Sequence, residues 1–191
     1  MKKILLLLAN GFEILEASAF VDVMGWNLKE GDYSTELFTC ALKKEIKSSF
    51  NQTFKVDYLI NELDVNSFDA LAVPGGFKDF NYYKDAYNED FLNVIRSFNQ
   101  QNKIIATVCV GALPLAKSGA LKNKNGTTYS SIEYRNELKS FLVNLIDKPI
   151  VEDENIITSC GPSTATDVAF ILLEKLTNKD NTKKVRELMG F

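Results

Sequence analysis

The chain has three cysteines, at positions 40, 109 and 160, and no histidine. Cys109 is the one whose setting suggests chemistry. Residues 103–108 (KIIATV) form a short apolar run that reads as a buried strand, and residues 111–117 (GALPLAK) read as a helix closed by Gly119. A cysteine at that junction lies on a strand-to-helix turn, which small neighbours allow to be tight and strained. Its sulfur would sit at a helix N-terminus, where amide N–H groups and the macrodipole favour an anion. This predicts a thiol pKa below the free value of about 8.5 and makes Cys109 the most reactive of the three. The competing reading is an inert buried cysteine, a common fate of free thiols. Cys160, which also ends an apolar run before a helix, is the rival; Cys40 falls inside an expected strand.

Other residues could serve such a sulfur. Glu13 and Glu16 open a helical segment, and one of them could point inward over the strand ends. A carboxyl desolvated there has its pKa raised and can donate a hydrogen bond to a thiolate; acidic residues also favour helix N-termini for the dipole alone. Gly75 and Gly76 end another apolar run, where their amides could act as oxyanion donors or simply make a turn. Tyr129 is either a polar group at the site or a core aromatic. The cluster Phe77, Phe80, Tyr82, Tyr83 and Tyr87 reads as a lid, a partner surface or packed core. Without histidine the chain cannot supply a Ser-His-Asp or Cys-His pair, and with three scattered cysteines a zinc site is not expected.

The elements that must position these groups follow from the apolar patterns. Residues 2–9 and 69–73 are continuous apolar runs of the kind found in parallel strands buried on both faces. Residues 13–30, 90–101, 132–143, 162–176 and 179–189 read as helices, and residues 34–42 as a strand. Residues 45–58 suggest a hairpin at the sheet edge, residues 60–66 a helical turn, and residues 77–87 a loop or broken helix. Residues 127–129 suggest a short strand, and residues 149–151 and 156–159 a pair of strands around an Asp-Glu-Asn turn. Alternating strands and helices imply an α/β sandwich with a mostly parallel sheet. Ligands in such folds bind at the carboxyl ends of the strands. Four segments end there: residues 10–16, residues 74–76, Cys109, and residues 160–162.

At 191 residues, 46% hydrophobic and 25% charged, the chain is expected to form one domain over residues 1–191. A net charge of −3 does not suggest nucleic acid or an anionic membrane as partner. The run over residues 4–9 is far too short to span a bilayer, and no signal-peptide cleavage pattern follows Lys2 and Lys3. Few, odd-numbered cysteines fit a reducing cytoplasm.

Four stretches together resemble the DJ-one/ThiJ/PfpI superfamily, on the branch of the Parkinson disease protein deglycase: LLLANGFEILEASAFVDVM, DALAVPGG, IIATVCVGALPLAKSGAL and ITSCGPSTATDVAF. They occur in order and cover nearly the whole chain. The resemblance implies a flavodoxin-like three-layer sandwich, similar to class I glutamine amidotransferases, and a homodimer built on the first helix, with its Phe20, Met24 and Trp26, and on the nearby edge hairpin. It makes Cys109 similar to the family's reactive elbow cysteine and Glu16 to the glutamate that shares its proton. Gly75 and Gly76 match the oxyanion glycines, and Gly161 and Pro162 a segment lining the pocket; Val110 and Tyr129 join them as substrate-side residues. No cofactor or metal is implied. The sequence departs from the family in four places. Val110 follows the cysteine where protease-like members have histidine. Tyr129 stands where the deglycase branch has histidine. Cys160 and Trp26 stand in place of arginines. The implied function is cysteine-dependent handling of small carbonyls, such as glyoxalase- or deglycase-like chemistry on reactive dicarbonyls, without peptidase activity. The alternative is a non-catalytic redox sensor whose Cys109 oxidises to sulfinate, and a silent dimeric scaffold is the third reading.

Overall fold

The computed structural model describes residues 1–191. In chain order the elements are β1 (Lys2–Leu7), α1 (Ile14–Glu30), β2 (Thr35–Ala41), β3 (Glu45–Lys47), β4 (Thr53–Lys55), β5 (Tyr58–Leu59) and β6 (Ala70–Val73). They continue with α2 (Tyr82–Ala86), α3 (Glu89–Gln100), β7 (Ile104–Thr107), α4 (Ala112–Ser118), β8 (Asn125–Gly126), α5 (Ile132–Ser140) and β9 (Asn144–Leu145). The last four are β10 (Ile150–Asp153), β11 (Ile156–Ser159), α6 (Ala165–Leu176) and α7 (Lys179–Leu188).

Seven strands make one sheet in the order β10-β11-β7-β6-β1-β2-β5. Every neighbouring pair is parallel except β10 with β11. β1 lies between β6 and β2, with Leu5 level with Leu71 on one side and Phe38 on the other. Its apolar run is unbroken because both faces are covered. Ile4, Leu6 and Leu8 join a core with Phe20, Val23 and Leu172 from α1 and α6. Leu5 and Leu7 join a second core with Ile95, Leu113 and Leu115 from α3 and α4. This is the flavodoxin-like, three-layer α/β arrangement, with helices on both faces of a mostly parallel sheet. No helix is long and apolar enough to cross a membrane.

The structure departs from the sequence expectation at two places near the strand ends. Residues 45–55 do form a hairpin, but β3 and β4 pair only with each other, and the sheet edge is taken by β5. The hairpin is drawn over the loop after β1, where Gly11 N–H donates to Lys47 O (2.7 Å) and Ser49 N–H to Phe12 O (2.8 Å). Residues 127–129 are not a strand. Thr127 N–H donates to Thr158 Oγ1 (2.9 Å) and Thr128 Oγ1 to Cys109 O (3.0 Å), so their polar groups brace β11 and the cysteine turn. The last helical turns also run shorter than the pattern suggests, with α5 ending at Ser140.

Candidate active site

Cys109 follows β7 through Val108 and begins a single 3-10 turn, Cys109–Gly111, that leads into α4. Its φ is 57°, a left-handed conformation for a residue with a Cβ. Such strain costs on the order of 1–3 kcal/mol and persists only where the surroundings enforce it. Here they do. A Cβ on Gly111 would meet Val73 O at 2.5 Å, so the turn is pressed onto the end of β6. Gly75 leaves equally little room: a Cβ there would lie 3.0 Å from Val110 N and 3.1 Å from Cys109 Cβ. The cysteine is thereby lifted out of the sheet and remains partly exposed.

Glu16 comes from the first turn of α1 and is fully buried. Its placement begins with Glu13, which caps the helix by accepting Glu16 N–H at 3.0 Å, while Glu13 N–H donates to Gly75 O at 2.8 Å. The helix start is thus fastened to the end of β6. Glu16 Oε2 then accepts Gly75 N–H at 2.6 Å, and Oε1 has no partner within hydrogen-bonding distance. Burial pushes the Glu16 carboxyl up from 4.5 to about 8; the Gly75 N–H opposes this, the Glu13 charge adds to it, and Cys109 opposes it weakly. Glu16 is therefore a neutral acid at pH 7. Its proton belongs on Oε1, the oxygen not already accepting from Gly75, and can be given to sulfur.

The Cys109 thiol does not have the depressed pKa that the helix N-terminus suggested. Burial pushes it up, and the Glu16 charge acts in the same direction, against a lowering contribution from Val110 N–H. Desolvation outweighs one amide donor. Cys40, wholly inside β2, is pushed up to about 12 by burial. Cys160 is partly exposed but does not line the cavity that Cys109 opens into.

That cavity measures about 310 Å³. Cys109, Glu16, Gly76, Val110, Tyr129 and Pro162 all face it, so it gathers six of the eight residues singled out in the sequence. The other two stand behind the wall. Gly75 has its N–H engaged by Glu16 and is not a free oxyanion donor, and Gly161 backs Tyr129, whose ring lies 3.7 Å from where its Cβ would be. Gly76 N–H donates to no protein acceptor and is the free amide of the pair. Gly76 itself is pinned, since a Cβ would meet Gly11 O and the Tyr82 ring at 2.3 Å. Three further residues line the cavity: Glu13, Phe77 and Tyr134. The sequence suggests that one of Glu13 and Glu16 points inward, and in the structure both line the cavity. Tyr134 carried no signal, because its place depends on how α5 folds back over the site. Of the aromatic cluster, Tyr82 is core, fully buried with its OH donating to Pro74 O at 2.8 Å.

No group of three histidine, cysteine or acidic side chains is placed to hold a metal ion. A larger open groove of about 450 Å³ beside Leu63 and Val94 contains neither a cysteine nor a buried acid. What the Cys109 cavity can do chemically is narrower: present a sulfur nucleophile, an acid that titrates near neutrality, and amide donors in one partly dry space.

Known proteins share this arrangement of chain and fold. The sequence is 32% identical to Deglycase PfpI of Pyrococcus furiosus over 84% of this chain and 90% of that one. It is 27% identical to Protein DJ-1 homolog B of Arabidopsis thaliana over 93% of this chain, which spans only 39% of that longer protein. The crystal structure of Drosophila melanogaster DJ-1beta superposes with a TM-score of 0.85 at 26% identity, covering 98% of this chain and 97% of that one. The DJ-1/PfpI family pattern itself matches residues 2–175, a span that contains every residue of the cavity, and the chain belongs to that family.

Proposed function

We propose that residues 1–191 act as one domain that performs cysteine-dependent chemistry on small carbonyl compounds, of the glyoxalase or deglycase kind. The observation that supports it most is the pairing, in one cavity, of the strained Cys109 with the fully buried Glu16, whose pKa lies near 8. The sulfur attacks the aldehyde carbon, an S–C bond forms, and the carbonyl π electrons pass to oxygen. The N–H groups of Gly76 and Val110, which donate to no backbone acceptor, are the donors available to that oxygen, and the Glu16–Cys109 pair supplies its proton. When the pair has first lost one proton to solvent, that delivery leaves Glu16 as the carboxylate. For a dicarbonyl such as methylglyoxal, the carboxylate removes the carbon-bound proton and returns it to the neighbouring carbon, while the hydroxyl proton passes to that carbon's oxygen. Water cleaves the resulting thioester, so that methylglyoxal and water give lactate. The test is lactate formation from methylglyoxal, expected from the native protein and absent from Cys109→Ser.

A second reading is supported by the partial exposure of Cys109. Two equivalents of peroxide would convert its thiolate to sulfinate with release of two waters, held by Val110 N–H and the Glu16 acid. Oxidation without lactate formation would favour this redox-sensing role.

The chain is further proposed to form a homodimer through α1. Phe20 and Met24 do not serve this contact, since both are core residues. The outward apolar residues are Leu15, Val21 and Trp26, 57%, 45% and 41% exposed. Light scattering at micromolar concentration checks it, and a monomer mass would count against it. Three free thiols suit a reducing, cytoplasmic setting, and neither nucleic acid nor membrane is proposed as partner.

A further inference from the structure

No basic side chain faces the Cys109 cavity. Its acidic lining consists of two carboxyl groups, Glu13 and Glu16, 8% and 0% exposed. Glu13 is the one held at a helix end. It caps α1, where the amide ends of the helix favour an anion, and its charge raises both Glu16 and Cys109. The cations on the flanking segments are drawn away. Lys78, beside Phe77, reaches Glu133 at 3.5 Å, and Arg135, beside Tyr134, reaches Asp147 at 3.0 Å. The rest of the wall is largely aromatic: Phe77, Tyr129 and Tyr134, the two tyrosine rings 6.3 Å apart and inclined at 62°. Ring faces attract cations and offer an anion nothing. Independently, Glu16 Oε1 is buried and accepts no hydrogen bond from the protein, which leaves it able to meet the Cys109 sulfur or a polar ligand atom beside that sulfur.

We propose that Glu13 is a specificity-determining residue, and that the cavity admits small carbonyl compounds that are uncharged or carry an ammonium group while excluding those that carry a carboxylate or phosphate. The ammonium group of such a ligand lies against Glu13 and the tyrosine faces, leaving its carbonyl toward Cys109. The substrate class rests on the carbonyl reading given above. The charge filter does not, because it acts on anything that approaches the sulfur.

The experiment uses three methanethiosulfonates of similar size: ammonioethyl, hydroxyethyl and sulfonatoethyl. Each forms a disulfide with Cys109 Sγ, methanesulfinate leaves, and the thiol proton goes to solvent. Rates at Cys109 are followed by peptide mass and divided by those of free cysteine with the same reagent. The order expected is ammonioethyl, then hydroxyethyl, then sulfonatoethyl, with the first and last separated by about tenfold or more. Glu13→Gln keeps an oxygen for the helix cap and should bring the ratio close to one; Glu13→Asp, which keeps the charge, should preserve it. About half-molar potassium chloride should shrink the native ratio, a control that needs no variant. A native ratio near one, or a ratio unchanged in Glu13→Gln, overturns the filter whatever the lactate assay gives. An intact ratio without methylglyoxal turnover upholds the filter and removes the carbonyl substrate.

Discussion

Gly75 N–H donates to Glu16 Oε2 at 2.6 Å, and a methyl group on Gly75 would stand 3.0 Å from that same oxygen. One glycine therefore both holds the acid and keeps the gap between it and Cys109. Gly75 does not have a positive φ, so Gly75→Ala is a purely steric test. Overpacking of this kind costs about 1–3 kcal/mol. The variant should fold with a melting temperature lowered by a few degrees and lose most of its Cys109 reactivity, because Glu16, Val110 and Cys109 must all shift. Thermal melts with iodoacetamide labelling check this. A variant that alkylates Cys109 at the native rate would show that the spacing is not critical.

The pH dependence follows from the two raised pKa values. Below about pH 8 Glu16 is neutral and Cys109 is a thiol, so the pair holds two protons. Loss of the first, near pH 8, creates the single negative charge that acid and sulfur share, and the two titrate as a pair. Alkylation of Cys109 should therefore climb by about tenfold per pH unit up to that point. Glu16→Gln holds the acid's place in its neutral form and removes the group that can ionise first, so Cys109 must lose its own proton against burial and the midpoint should move up. A rate already level between about pH 5 and pH 7 would mean that the thiolate exists without Glu16 ionising.

Peptide cleavage should be absent. The cavity is about 310 Å³, walled by Phe77, Tyr129 and Tyr134, and no imidazole stands beside the sulfur to relay a proton to a leaving amine. Casein hydrolysis that scales with protein and disappears in Cys109→Ala would overturn this.

Much of the site is legible in the sequence because it depends on local features. Cys109 shows itself by an apolar run before it and small residues after it, and β1 by a run with no polar alternation. Glu16 is less legible: spacing alone left it level with Glu13, and the family motif made the choice. What is hidden is set by chain returning from afar. Tyr134 reaches the cavity only because α5 folds over α4, and Thr128 braces Cys109 O instead of extending a strand. The direction of the Cys109 shift is hidden for the same reason. A helix N-terminus can be read from sequence, but the burial that outweighs it is produced by the whole fold.

Glu16 also makes stability fall with pH. In the unfolded chain its carboxyl titrates near 4.5, and in the folded protein near 8. Below about 4.5 both states hold the proton. Between the two values the unfolded chain releases it and the folded protein keeps it, so the folded state binds more protons and loses stability as pH rises. The loss is about 1.4 kcal/mol per pH unit through this window and is complete once pH passes about 8. Cys40 and Cys109 contribute only above the ordinary thiol value of 9.0, because both are raised from it. Glu16→Gln mimics the neutral acid and has no such term, while every other titrating group is common to both proteins. Urea unfolding at about pH 5.5 and about pH 7.5 should thus show the native protein losing roughly 3 kcal/mol relative to Glu16→Gln across the interval. If the two proteins keep a constant difference, Glu16 is already ionised at the lower pH. In that case it cannot be the acid that serves Cys109.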